Sequence, residues 1–134
     1  MIYFVVGLAG VIGSLLRYYL GLSIHSWWIT SFPLATLMIN YLGSFTLGWF
    51  NERITQSYSV PEWVRLGFGT GLIGSFTTFS TFSVETMTLM NQGLWEMAFV
   101  YVLLSMVGGL LFAFFGFRVA HFQLRKSKEG META

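Results

Sequence analysis

Cysteine is absent from this chain, which excludes a disulfide framework, a thiolate metal site and a cysteine nucleophile together. Charge is scarce as well. Only 10% of the residues are Asp, Glu, Lys or Arg, where a soluble domain carries about 25%, so too few polar side chains exist to coat a soluble globule. The two histidines, His25 and His121, stand alone without metal-ligand spacing. There is no Gly-x-Ser-x-Gly elbow, no phosphate loop and no pair of carboxylates, so the residues offer no enzymatic chemistry. With a net charge of +1 and no basic patch, nothing grips nucleic acid. The apolar blocks also lack the period-2 alternation of a membrane β-barrel.

Apolar residues make up 54% of the chain, and they fall into blocks near the roughly 20 residues that a bilayer-spanning helix needs. Backbone polar groups inside hydrocarbon must be satisfied internally, so these blocks are expected to be helices. The expected fold is an all-α membrane protein, a single transmembrane domain with spans at about 2–22, 33–50, 62–90 and 94–124, and a frayed polar tail at 125–134. The first block has no basic stretch before it and no small-residue cleavage pattern after it, and is read as a retained span. Pro33 suits a first helical turn, a polar loop is expected at 51–61, and Asn91-Gln92-Gly93 reads as a helix stop. The five tryptophans fall near span ends, as an interfacial belt does. Glycines recur at close-packing spacing, including Gly67 and Gly71, and serve helix approach within the chain or between subunits.

The third span is unlike an anchor. Gly74-Ser75-Phe76-Thr77-Thr78-Phe79-Ser80-Thr81-Phe82-Ser83 places hydroxyls and phenyl rings at membrane depth. Side chains that compete for backbone hydrogen bonds, just after a glycine, predict a helix break near Gly74–Thr78. A break frees carbonyls, which then need a partner helix, water or a cation. Phe76, Phe79 and Phe82 recur every three residues and would share one helix face. A phenyl edge carries partial positive charge, so a small anion can lie against ring edges while hydroxyls donate from the side. Ordinary packing is the alternative for each of these residues. Arg17 in the first span is either paired in a cavity or reaching toward headgroups. Asn40 is a donor to an anion or a tie between helices. Glu85 is a vestibule residue or a surface carboxylate. Tyr101 and Ser105, at i and i+4, extend a polar track or bond between helices.

Taken in order, Gly10-x-x-Gly13-x-x-x-Arg17-Tyr18, Pro33-Leu34-Ala35-Thr36-Leu37-x-x-Asn40-x-x-Gly43 and Gly71-x-x-Gly74-x-x-Thr77-Thr78-Phe79-Ser80-Thr81-Phe82-Ser83-x-Glu85 resemble the Fluc/CrcB fluoride channels along essentially the whole chain. The resemblance implies a four-helix subunit with a broken third helix. It implies an antiparallel homodimer with two fluoride pores, in the plasma membrane or inner membrane, giving passive export of cytoplasmic F⁻. Phe79 and Phe82 would form its aromatic box, Asn40 its pore-lining amide, and Ser80 and Thr81 hydroxyls beside the polar track, which Tyr101 and Ser105 would continue. Arg17 and Glu85 would be structural or vestibule residues. The backbone carbonyls of Gly74 and Thr77, from both subunits, would hold a central structural Na⁺.

Two further readings belong here. Arg53, Arg65, Arg118, Arg125, Lys126 and Lys128 lie on the side of the two termini, and the opposite loops have no Lys or Arg. That bias orients every copy alike, whereas an antiparallel homodimer needs both orientations, so pairing with an oppositely oriented paralogue stays open. The rival function is a small proton-coupled multidrug exporter. That class depends on a carboxylate in the first span, where this chain has Arg17.

Overall fold

A computed structural model describes residues 1–55 and 60–132 of the chain. Residues 56–59 of the expected 51–61 loop, Gln56 and Ser57 among them, lie outside the described residues, as do the last two residues of the tail.

Every regular element among the described residues is helical: α1 (Ile2–His25), α2 (Leu34–Thr55), α3 (Glu62–Leu66), a π-helical stretch π1 (Gly67–Ile73), α4 (Gly74–Phe76), α5 (Phe79–Asn91) and α6 (Trp95–Glu132). The four expected apolar blocks map onto α1, α2, the run from α3 to α5, and α6. Two of the helices, α1 and the 95–126 portion of α6, are long and apolar enough by themselves to cross a bilayer. The tail departs from expectation. The polar segment 125–132 continues α6 instead of fraying, because Arg, Lys and Glu are good helix formers and no proline interrupts them. The turn at 91–94 closes as expected, with Gly93 at φ 78°, the left-handed conformation that glycine adopts without strain.

The packing is sparse inside and apolar outside. The fully buried core is small, built on Leu37, Leu89, Ala98 and Tyr101. Outward faces of α1 and α6 expose Phe4, Leu8, Leu15, Phe99, Leu110 and Phe114. Exposed apolar surface on this scale marks a face meant for lipid or protein.

Close backbone approach fastens α2 to α6. A Cβ on Gly48 would overlap the Ala113 carbonyl oxygen, and one on Gly116 would overlap that of Phe45. Between them Tyr41 stacks on Phe112, with ring centroids 4.6 Å apart, and its hydroxyl donates to the Leu104 carbonyl at 2.6 Å. Gly48→Val forces these backbones apart and is expected to cost about 1–3 kcal/mol, the usual range for overpacking. A denaturant titration in detergent measures it, and an unchanged midpoint would contradict the packing described.

Candidate functional site

The third helix breaks where hydroxyl-bearing residues replace aliphatic ones. Thr77 (ψ 158°) and Thr78 (φ −147°, ψ 122°) are extended between α4 and α5. Thr78 caps α5: its Oγ1 accepts from the Thr81 N–H at 3.2 Å. Asn40 on α2 holds the other side. Its Oδ1 accepts from the Thr78 N–H at 2.9 Å, and its Nδ2 donates to the Thr78 carbonyl at 3.1 Å. The side-chain amide thus replaces a missing turn of helix, and it leaves one N–H of Asn40 for another acceptor.

Four carbonyls, those of Gly74 to Thr77, lose their helical donors at the break. In a continuous helix the Thr78 N–H would serve the Gly74 carbonyl and the Thr81 N–H that of Thr77. The first is taken by Asn40 and the second by the Thr78 hydroxyl. Gly74 and Thr77, the two positions expected to offer carbonyls, are thus among the four, with Ser75 and Phe76, that the break leaves without a helical donor.

A groove of about 370 Å³ runs beside the break. It is lined by Asn40, Gly74, Thr77, Phe79, Phe82 and Ser105, from α2, α4, the break, α5 and α6. The Phe79 and Phe82 ring centroids are 5.7 Å apart. Phe79 is 79% exposed, while Phe82 packs on Tyr101 at 5.2 Å.

The break splits the expected phenylalanine stripe. Phe76 ends α4 and lies against the Gly43 position of α2, so only Phe79 and Phe82 share a helix. Three-residue spacing implies one face only while the helix is continuous.

The remaining predicted residues sit elsewhere. Tyr101 does not line the groove beside Ser105. Its ring is fully buried, and its hydroxyl donates to Glu85 Oε2 at 2.8 Å. Thr36 Oγ1 donates to Glu85 Oε1, also at 2.8 Å. The Glu85 carboxylate thereby ties α2, α5 and α6 together. Arg17, Thr81 and Glu85 line a second cleft of about 400 Å³ between α1, α2 and α5. Arg17 makes no hydrogen bond or ion pair among the described residues. Ser80 is exposed, its Oγ 3.3 Å from the Thr78 hydroxyl.

Three contacts escaped sequence reasoning. Thr36 lies four residues before Asn40, a spacing that puts both on one face of α2. Thr78-x-x-Thr81 has the form of a helix cap. Ser75 links α4 to α1 through the Gly10 carbonyl at 2.8 Å, and no local signal names that partner.

A helical chain with apolar outer faces and a largely apolar groove that holds a few polar groups at a helix break is a membrane protein of the transport type. Residues 4–117 match the family model described as CrcB-like protein, Camphor Resistance (CrcB). A protein of Bacillus cereus (strain ATCC 10987 / NRS 248) named Fluoride-specific ion channel FluC 1 is 51% identical over 126 residues, 94% of this chain and 92% of its own. Fluoride-specific ion channel FluC 2 of Geobacillus kaustophilus (strain HTA426) is 46% identical over 131 residues, 98% and 99% of the two chains. Fluoride-specific ion channel FluC of Magnetococcus marinus (strain ATCC BAA-1437 / JCM 17883 / MC-1) is 41% identical over 111 residues, covering 83% and 90%. The chain belongs to the CrcB family.

Proposed function

We propose that this protein is a fluoride-selective ion channel giving passive export of cytoplasmic F⁻ across the plasma or inner membrane. The observation that carries the reading is the groove in which the Phe79 and Phe82 rings meet the Asn40 amide and the Ser105 hydroxyl. A bare fluoride ion needs its water shell replaced. Ring edges supply positive quadrupole, and hydroxyl and amide hydrogens supply donors. Fluoride trapped in the cytoplasm leaves down the membrane potential once such a path exists.

The full pathway is expected in a four-span subunit that pairs antiparallel with a second copy. Three glycines of the groove support a close neighbour. A Cβ on Gly69, Gly74 or Gly109 would meet nothing of this chain closer than 3.7 Å. A helical glycine costs about 1 kcal/mol relative to alanine, and approach by another backbone gives these positions a reason to stay bare. The Gly74 and Thr77 carbonyls fit a structural Na⁺. They are hard oxygen donors without helical partners, and a two-fold axis would supply each of them twice. When bound there, Na⁺ would neutralise the carbonyl dipoles and lock the two breaks together.

The cation bias favours a second reading of the assembly. Arg53, Arg65, Arg118, Arg125 and Lys126 all belong to the terminal side, so an oppositely oriented family member is the alternative partner. Fluoride efflux from liposomes holding the purified chain alone tests both readings. Efflux above that of empty vesicles is expected. Retention equal to empty vesicles would overturn the self-paired channel, and its relief by an oppositely oriented relative would favour the mixed pair.

A further inference from the structure

The sequence of α6 sets where its charges meet the bilayer. Residues 97–117 carry no charged side chain, and at about 1.5 Å per residue they span about 30 Å, the thickness of a hydrocarbon core. Glu96 precedes this run and Arg118 follows it, so Arg118 stands at the edge of the hydrocarbon. The helix continues past that edge to Glu132, and its next turns pass through the headgroup layer.

A recess of about 500 Å³ opens on this stretch, lined by Arg118, Val119, Phe122, Gln123 and Lys126. Arg118, Phe122 and Lys126 follow at four-residue steps, and Val119 and Gln123 do the same, so the lining is one stripe of the helix. Its polar groups are donors. The Arg118 guanidinium lies 5.5 Å from the Phe114 ring centre, which covers its face and leaves its N–H edges open. Neither Arg118 nor Lys126 has a hydrogen bond or ion pair among the described residues. Gln123 is held from behind by α2. Its Oε1 accepts from Trp49 Nε1 at 3.2 Å and from Arg53 Nη2 at 2.7 Å. Both partners can only donate, so the oxygen is occupied and the amide NH2 is what Gln123 has for the recess. The charge on Arg53 polarises that amide and makes its hydrogens better donors. Among the described residues no carboxylate lines the recess, and the Glu52 carboxylate of α2 is engaged by His121 at 2.9 Å.

We propose that this recess binds the headgroup of an anionic phospholipid. The phosphodiester accepts from the Arg118 N–H edge, the Gln123 amide and the Lys126 ammonium, while Val119 and Phe122 meet the glycerol and the upper acyl chain. Phosphate oxygens only accept, which complements a lining of donors. The apolar pair and the position at the hydrocarbon edge select a lipid over a free ion. Lys and Arg just beyond a membrane helix attract anionic headgroups in general; the fixed Gln123 amide turns that attraction into a defined site. The recess is separate from the phenylalanine groove, and the inference does not depend on the channel reading.

The test is native mass spectrometry of the purified protein in an uncharged detergent, titrated with short-chain phosphatidylglycerol. Phosphatidylcholine of the same chain length and inorganic phosphate are the comparisons. Phosphatidylglycerol is expected to bind more tightly than either. Arg118→Gln and Lys126→Gln should each weaken it about fivefold, the usual effect of one cation near a lipid surface. Arg65→Gln removes a charge from the same side of the membrane but outside the recess, and should change binding less than twofold. Gln123→Glu keeps an oxygen for Trp49 and Arg53 and replaces the NH2 with a second acceptor. It should abolish the preference for phosphatidylglycerol without lowering the unfolding temperature. Equal binding of the two lipids would overturn the site. A loss in Arg65→Gln as large as in Arg118→Gln would overturn it too, by showing diffuse attraction. Unchanged binding in Gln123→Glu would remove the amide from it and overturn the proposed geometry, and inorganic phosphate bound as tightly as the lipid would overturn the choice of occupant.

Discussion

Replacing Phe82 or Phe79 by isoleucine is expected to cut fluoride flux by about thirtyfold or more while leaving the protein folded. The side-chain volumes are close enough that packing survives. Phe79 is largely exposed and has little packing to lose, and Phe82 loses chiefly its contact with Tyr101 at 5.2 Å. What disappears is the ring edge. An aliphatic branch has no positive edge to face a dehydrated anion, and a thirtyfold cut corresponds to about 2 kcal/mol of ion stabilisation lost with it. Liposome efflux at saturating fluoride measures the loss, and the elution profile in detergent checks the assembly. Wild-type flux in both variants would remove the aromatic pathway.

The second large effect concerns Asn40. Asn40→Leu leaves both the N–H and the carbonyl of Thr78 without the partners they have at 2.9 and 3.1 Å. Each unsatisfied buried group costs about 1–3 kcal/mol, so destabilisation of about 2–6 kcal/mol is expected. Asn40→Asp keeps an acceptor for the N–H but offers the carbonyl no donor, and its loss should be about half as large. Thermal unfolding in detergent ranks the three proteins as wild type, then Asp, then Leu. A leucine variant as stable as wild type would mean that the clasp holds nothing. Asn40 thus serves the break first, and whatever it does for an ion uses its remaining N–H.

These two experiments probe different terms. On the channel reading, the rings act on a charge that is present only while an ion passes, so their removal is expected to change rate with little change in stability. Asn40 satisfies backbone groups that are present always, so its removal changes stability first. A variant series in which flux and unfolding midpoint fall together for Asn40, and separately for the phenylalanines, would fit that division.

Sequence alone determined the lipid-facing character, the helical class, the approximate element boundaries, the position of the break and the family. Each comes from composition, block length or a contiguous motif, and such local features survive without knowledge of any neighbour. Tertiary structure decided which hydrogen-bonding groups meet. Asn40 and Thr78 are 38 residues apart and Thr36 and Glu85 are 49 apart, so nothing local marks them as partners. It also decided that Phe76 leaves the stripe, since the two extended residues Thr77 and Thr78 rotate α5 relative to α4, and that Tyr101 turns to Glu85 and away from Ser105. The reason is common to all of these. A membrane interior makes every polar group find a partner, but only the way the helices pack says which one lies within reach.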